Sequence, residues 1–518
     1  MFATARTLLF GGLLGKALGI ARELVTAALF GTGPIAIAYR LAQAAFLIPL
    51  HGLLSDAFGA GFTPAYARAR ADDRARAPES CSGAPAPRSA EPIPASGQPA
   101  PRSGQLFAAM HAVVLGVSVA VGALLGIFAR AWVHALAPGL DPNTAQMAAR
   151  MVTVLALAMP CYALTSLYAS ADLAAGDARM SAARASAQNV GLLAGALGAW
   201  WTGDPVAIAV GFLAAYALLA ARGLHSAIAS GLEPWPRRGE WRAAAQLLDG
   251  VWRAVRWLLL VPVLMQVHFV VERRVASLVS GEAVAALDYA RFVSDTSVLL
   301  LAMPLGVAGL GAMAAMSDAG FRTAALRSFR MLLYAGAPLS LAIAVHGEAI
   351  VRLVFARGAF GADSVAATSA ILRWLAVGLW AQLIGYAGAK FLSARGRSGR
   401  VIAIYAAAIG ANVALNLVLY PLVGAAALGI AAAANSVVFG VLILAHLDLL
   451  APLKRDLATV GALAGAYALP WTLVPVNTDA RGWLPLIVCA AYWCAAATLV
   501  PRCREAVHEA WLSLRAAA

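Results

Sequence analysis

The feature that most constrains this chain is a recurrence of long apolar runs, from residue 7 to residue 500, separated by short charged or Gly/Pro-rich segments. About 20 consecutive apolar residues in a helix cross a hydrocarbon core of ~30 Å. No water in that core can satisfy a backbone N–H or C=O, so runs of this length must close their hydrogen bonds internally, as helices. Of the 518 residues 61% are hydrophobic and only 12% charged, too little charge to cover a soluble surface of that size. The expected fold class is all-α, a polytopic membrane protein.

Hydropathy and Gly, Pro and charge punctuation place about fourteen transmembrane helices. Their approximate limits are 7–30, 35–65, 105–130, 149–173, 181–202, 206–226, 248–279, 283–315, 324–350, 366–393, 399–420, 423–449, 456–475 and 482–501. Arginines and lysines gather after the even-numbered spans, as in Arg68 to Arg102, Arg179 with Arg184, Arg237 with Arg242, and Arg395 to Arg400. The odd-numbered spans are followed by few. This bias is the signature of cytoplasmic loops and puts both termini inside. It also accounts for the net charge of +14 without nucleic acid, for which no interleaved basic and aromatic motif exists. The first 30 residues lack a small-residue cleavage pattern and read as a membrane helix. Five cysteines in no ligand spacing read as packing residues, and no motif calls for a metal or cofactor or for an enzyme's catalytic machinery.

Residues 68–104 are rich in Pro, Ala, Ser and Arg, a composition that cannot bury a core and is expected to be a disordered cytoplasmic linker. An internal repeat is visible beside it. RELVTAALFGTGPIAIAYR (22–40) and ERRVASLVSGEAVAALDYAR (272–291) each open on a charged pair, reach a glycine (Gly31, Gly281), then a tyrosine eight residues on (Tyr39, Tyr289), and close on an arginine (Arg40, Arg291). The expected organisation is two pseudosymmetric six-helix halves, residues 1–230 and 243–450, with a terminal helix pair and tail at 451–518.

The repeats also carry charge into the membrane. The first span holds Lys16, Arg22 and Glu23, the second Arg40 and Asp56, the seventh Glu272, Arg273 and Arg274, and the eighth Asp288, Arg291 and Asp295. A basic residue at mid-span costs about 2.5–3.5 kcal/mol on the insertion scale, so it faces water, a ligand or an ionic partner. Ion pairing is the bland alternative; Asp288 and Arg291, three apart, share a helix face and can pair. The reading favoured here is a cation-lined cavity of Lys16, Arg22, Arg40, Arg273 and Arg291, with Glu23, Asp56, Glu272 and Asp288 as ion or gating partners. Guanidinium groups match phosphate oxygens in pairs, and a phosphorylated lipid head can cross such a cavity while its tail stays in the bilayer.

The same residues resemble the MurJ/MviN family of lipid II flippases, within the multidrug/oligosaccharidyl-lipid/polysaccharide exporter superfamily. The stretches that carry the resemblance are LGKALGIARELVTAALFGTG, DAFGAGFTPAYA, ERRVASLVSGEAVAALDYARF, LVFARGAFGADS and FLSARGRSGRVIAIYAAAIGANVALNLVLYPLVGAAALGIAAAANS. They cover roughly residues 5–450 in order. The resemblance implies fourteen helices, alternating access around a cationic cavity, and diphosphate contacts from the first, second and eighth helices. Arg22 matches the arginine of the family's Gly-Phe-Ala-Arg-Asp motif, Lys16 falls where another arginine is usual, and Arg291 looks like the arginine of its Tyr-Ala-Asp-Arg motif. Ile37 and Leu50 stand where the family has an acidic residue and an arginine.

The expectation is therefore a flippase that carries an undecaprenyl-diphosphate-linked glycan, lipid II of peptidoglycan synthesis first, from the inner to the outer leaflet. Its partners would be that lipid-linked anionic glycan, membrane lipids and cell-wall synthesis proteins. An exopolysaccharide or other lipid-linked oligosaccharide is the alternative substrate. A multidrug exporter would want an acidic cavity for cationic drugs.

Overall fold

The computed structural model describes residues 2–54, 56–76, 101–237, 239–256, 260–473, 484–506 and 508–509, with helix throughout and no strand among them. In chain order the helices are α1 (Phe2–Phe30), α2 (Pro34–Leu54), α3 (Asp56–Arg76), α4 (Arg102–Ile127), α5 (Ala129–Leu136), α6 (Pro142–Ala174), α7 (Arg179–Thr202), α8 (Val206–Ala229) and α9 (Trp241–Val255). They continue with α10 (Leu260–Val279), α11 (Gly281–Ala315), α12 (Asp318–Phe355), α13 (Ala362–Val377), α14 (Leu379–Ala394), α15 (Ser398–Val423), α16 (Ala426–His446), α17 (Leu450–Leu473) and α18 (Leu484–Leu499).

Most expected spans map onto one helix each, and three do not. The second span, 35–65, is covered by α2 and α3. The seventh, 248–279, merges α9 with α10: α9 carries Arg242, Asp249 and Arg253 beside Leu247, Leu248 and Val251, so it is amphipathic, and hydropathy averaging hid the boundary. The tenth, 366–393, breaks at Gly378 into α13 and α14, whose axes differ by 56°. Six helices, α4, α6, α8, α12, α15 and α16, are long and apolar enough to span a membrane by composition alone, and α13 with α14 makes a bent seventh. The helices that carry the charge clusters, α1 and α10 among them, are not in that set.

The loop expected at 68–104 is shorter. Helix α3 runs on to Arg76, and the Asp73 carboxylate accepts hydrogen bonds from the Arg102 and Ser103 amides at 3.0 and 2.9 Å. Those N–H groups open α4 and have no intrahelical acceptor, so Asp73 caps α4 from a neighbouring helix. Residues 77–100 lie outside the described residues.

The chain divides into two compact units, Met1–Leu29 with Pro34–Val270, and Phe30–Gly33 with Val271–Ala518. In the first, α6 is the centre, packed by α2, α3, α4, α5 and α8, while α7 lies on α8. The α7–α8 contact is made by backbone. A Cβ on Gly211 would stand 2.2 Å from the Gly191 carbonyl oxygen, and one on Gly195 2.6 Å from that of Ala207. Lipid supplies no hydrophobic drive between helices, so such close approach by small residues is what holds them. Asn189 adds a hydrogen bond from α7 to the Gly15 carbonyl of α1, at 2.9 Å.

In the second unit α13 and α14 pack on α11, α12 and α16, and α17 and α18 lie against α12. Asp456 of α17, buried, fastens that last pair by accepting from Arg330 Nε and Tyr334 Oη of α12, each at 3.1 Å. The Arg-Gly-Ala-Phe loop after α12 has a local structural cause. Arg357 donates to the carbonyls of Val354 and Leu353, which end the helix, at 3.0 Å each. Gly358 then takes the left-handed conformation (φ 58°) that lets the chain turn, and Phe360 is buried against Tyr289 and Phe355.

The exterior is apolar: Trp201 is 86% and Leu422 73% exposed, a surface suited to lipid and costly in water. Because α7 and α8 touch backbone to backbone, Gly211→Val is expected to push them apart at about 1–3 kcal/mol or more. The measurement is the yield and thermal midpoint of detergent-purified protein. A midpoint within 1–2 °C of wild type would show that the interface can give way.

Candidate functional site

A carboxylate inside a bilayer is stable only with a partner, and both copies of the sequence repeat meet that demand in the same way. In the first unit Glu23, on α1, is 3% exposed and Arg40, on α2, is 5% exposed. Arg40 grips Glu23 with both terminal nitrogens, Nη1 to Oε1 at 3.1 Å and Nη2 to Oε2. This is the bidentate fork that gives the strongest guanidinium–carboxylate pairs. Arg22 donates to Oε1 of the same Glu23. Two guanidinium groups thus converge on one carboxylate, and the buried Nε of Arg22 has no hydrogen-bond partner among the described residues. Thr26 Oγ1 donates to the Arg22 carbonyl at 2.7 Å, a local bond along α1.

In the second unit Glu272, on α10, is 1% exposed and accepts from Arg291 of α11. It also accepts from Asn412 Nδ2 of α15 at 3.2 Å. Arg273 donates to Asp288 of α11 and, at 3.1 Å, to the Val284 carbonyl. Asn416, one turn beyond Asn412, donates to its side-chain and backbone oxygens at 3.1 Å. The Asn-rich helix singled out in the sequence is therefore a polar rail behind Glu272. In each unit a glutamate on the opening helix is held by an arginine on the next helix, 17 residues on in one and 19 in the other.

The structure thus places Arg22, Arg40, Arg273 and Arg291 in ion pairs, where the sequence reading favoured a lining of cations. The pairs run between helices: Asp288 takes Arg273 and Arg291 takes Glu272, whereas the three-residue spacing had suggested Asp288 with Arg291. Spacing along one helix reports only that helix's own face, and the partner stood on a neighbour. Lys16 is exposed on α1, and so is Arg274 on α10. Lys390 is exposed above the Tyr386 ring at 5.8 Å. The side chain of Asp56 lies outside the described residues. Ile37 and Leu50, at the two positions where an acidic residue and an arginine were expected from the resemblance, are buried. Two arrangements escaped the sequence reading. Ser294 of α11 donates to Gln382 of α14 at 3.0 Å. Arg184, counted with the loop arginines, is inside α7 with its guanidinium 4.4 Å above the Tyr162 ring.

This two-unit helical chain, with its repeated glutamate–arginine links, can be set beside known proteins. A sequence model of the family described as "Lipid II flippase MurJ" matches residues 26–469. The chain belongs to this family. Two relatives carry the description "Probable lipid II flippase MurJ". That of Rhizobium meliloti (strain 1021) is 25% identical over 511 residues, covering 91% of this chain and 87% of the relative. That of Rhizobium tropici is 26% identical over 452 residues, covering 82% and 76%. Among solved structures, "Lipid II flippase MurJ, inward closed conformation" superposes with a TM-score of 0.73 at 14% identity, over 97% of this chain and 99% of that one. An inward-facing multidrug resistance transporter of the MATE family and MOP superfamily gives 0.63 at 14% identity, over 85% and 96%. At such identities these likenesses establish the fold, and the fold is that of the MurJ family: a multi-pass helical membrane protein.

Within this MurJ-family fold the glutamates are the members whose loss is felt most, because each leaves a buried guanidinium behind. Glu23→Gln should destabilise the first unit by about 3–5 kcal/mol, the cost of breaking a buried pair by removing one partner. Replacing Glu23 and Arg40 together with Gln and Met should recover only part of that loss, because Arg22 still lacks its carboxylate. Thermal unfolding in detergent reads both, and equal losses in the single and double variants would show that Arg40 does not depend on Glu23.

Proposed function

We propose that this chain is a flippase for lipid II or a close relative, moving an undecaprenyl-diphosphate-linked glycan from the inner to the outer leaflet of a bacterial inner membrane, with both termini in the cytoplasm. Family membership supplies the activity class. The observation that carries the site reading is the sharing of Glu23 by Arg22 and Arg40. A guanidinium that holds half of a carboxylate, with its Nε unused, can exchange that carboxylate for a phosphate oxygen at little electrostatic cost, because one anion replaces another.

Arg22 then takes the diphosphate first, with Lys16 as a point charge on the same helix, while Arg40 keeps Glu23. Arg291 and Arg273 do the corresponding work on α10 and α11, releasing Glu272 and Asp288 as the head arrives. Glu23, Glu272, Asp288 and Asp56 act as the returning anions that reset each pair once the head has left. Rocking of a six-helix half over residues 1–230 against one over 243–450 provides alternating access, and the helix pair in 451–518 offers a surface to the lipid tail. The partners follow from the substrate: a lipid-linked anionic glycan, membrane lipids, and the enzymes that make and use it.

A second reading, a different lipid-linked oligosaccharide, draws on Ile37 and Leu50. Two buried apolar side chains in place of an acid and an arginine change what meets the head. Depletion followed by a leaflet-specific assay separates the two. Inner-leaflet accumulation of lipid II supports the first; unchanged lipid II with loss of a surface polysaccharide supports the second.

Arg22→Ala should abolish transport in that assay while leaving membrane insertion and the thermal midpoint near wild type, since Glu23 keeps Arg40. Full transport by this variant would remove Arg22 from the site.

A further inference from the structure

Arg184 differs from the other buried arginines in having no acid beside it. It sits on the second turn of α7, half-buried, with Tyr162 of α6 and Tyr216 of α8 as the ionisable groups that face it. Among the described residues it makes no ion pair, in contrast to Arg22, Arg40, Arg273 and Arg291. The nearby carboxylate in the α6–α7 turn, Asp177, is taken by Arg179, which donates to it through Nε at 2.9 Å and Nη2 at 2.6 Å.

The mounting of Arg184 matters more than its charge. Its guanidinium carbon lies 4.4 Å from the Tyr162 ring centre, a cation–π contact. The Tyr162 and Tyr216 hydroxyls also accept from the guanidinium, which orients it and leaves the rest of its five N–H donors for a ligand. Tyr162 is itself held in an aromatic cluster, its ring centre 4.6 Å from that of Tyr216 and 6.1 Å, edge to face, from that of Phe46 of α2. Tyr216 Oη donates to Gln188 Oε1, one turn along α7 from Arg184, at 2.6 Å. That bond fixes which end of the Gln188 amide is occupied, and its Nε2 makes no hydrogen bond among the described residues. An oriented guanidinium edge and an amide N–H₂ thus share one face of α7 four residues apart. Both are donors, and among the described residues no carboxylate pairs with the guanidinium.

We propose that Arg184 and Gln188, on their Tyr162–Tyr216 platform, form an oxyanion-binding station inside the first unit that takes a phosphate group of the lipid head. The station lies about 7.5 Å along α7 from its first residue. In the orientation given above this is the cytoplasmic end, where a head leaving the inner leaflet is met before it reaches mid-membrane. The choice of a lipid phosphate rests on the flippase reading; the oxyanion chemistry does not.

The test uses the full chain in nanodiscs of neutral lipid, with undecaprenyl diphosphate, undecaprenol and inorganic diphosphate as probes. Phenylglyoxal modification of Arg184, read by peptide mass spectrometry against the exposed Arg222, needs no mutation. Undecaprenyl diphosphate should slow modification of Arg184 about fivefold or more and undecaprenol should not, as expected for charge-assisted hydrogen bonds to phosphate. Binding of undecaprenyl diphosphate should weaken about tenfold in Arg184→Gln and less in Arg184→Lys, which keeps the charge and loses the fork. Protection by inorganic diphosphate without binding of the lipid would support the station and sink the flippase reading. Equal lipid binding by wild type and Arg184→Gln, with Arg184 modified at an unchanged rate, would overturn the station and leave the flippase reading standing. No protection by any probe would overturn it as well.

Discussion

A buried glutamate held by an arginine from the next helix is the constraint on which the arrangement of this protein depends. Neither charge is stable alone in hydrocarbon. An unpaired guanidinium or carboxylate costs several kcal/mol even after relaxation, and the attraction between them offsets that cost only when the geometry is good. The Glu23–Arg40 pair joins α1 to α2, and the Glu272–Arg291 pair joins α10 to α11. Each therefore fixes the spacing and rotation of the two helices that open its repeat. Close helix contact then follows where side chains are small, as at Gly191 and Gly211.

Pairs of this kind are structural at rest and exchangeable in principle, and that double character links the architecture to transport. A phosphate and a carboxylate present similar oxygens to a guanidinium. A site that must stay folded while empty, and also bind a phosphorylated head, can keep a carboxylate in the ligand's place until the ligand comes. Glu23 is suited to this because it serves two arginines, so release of Arg22 leaves Arg40 satisfied. Glu272 is differently supported, with Asn412 behind it to supply a neutral hydrogen bond. Arg184 follows another rule, being steadied by the rings and hydroxyls of Tyr162 and Tyr216 in place of an acid.

Much of this was legible in the residues. The runs of apolar sequence dictated helices because a bilayer leaves backbone groups no other partner. The repeat at 22–40 and 272–291 located the charged elements, and the resemblance carried by the Arg-Gly-Ala-Phe loop and the Asn-rich helix pointed to the family that the comparisons then established. Misreadings came where one-dimensional patterns average over a turn. The amphipathic α9 was absorbed into the span beside it, and the break at Gly378 was invisible because a bent pair of helices is as hydrophobic as a straight one. The capping of α4 by Asp73 was hidden too, since the cap comes from a residue 29 positions away.

What the sequence determined by itself is the class of structure and the inventory of charges, since both depend on side-chain chemistry and on distances along one chain. Which charge meets which was decided only by the tertiary structure. Asp288 and Arg291 are neighbours on one helix, yet Asp288 holds Arg273 and Arg291 holds Glu272; Arg184 sits with the loop arginines in the sequence and lies over a tyrosine in the fold. The reason is geometric. A helix shows each residue's own face through its period, but the partner across the gap is set by the packing of a second helix whose rotation no local pattern encodes.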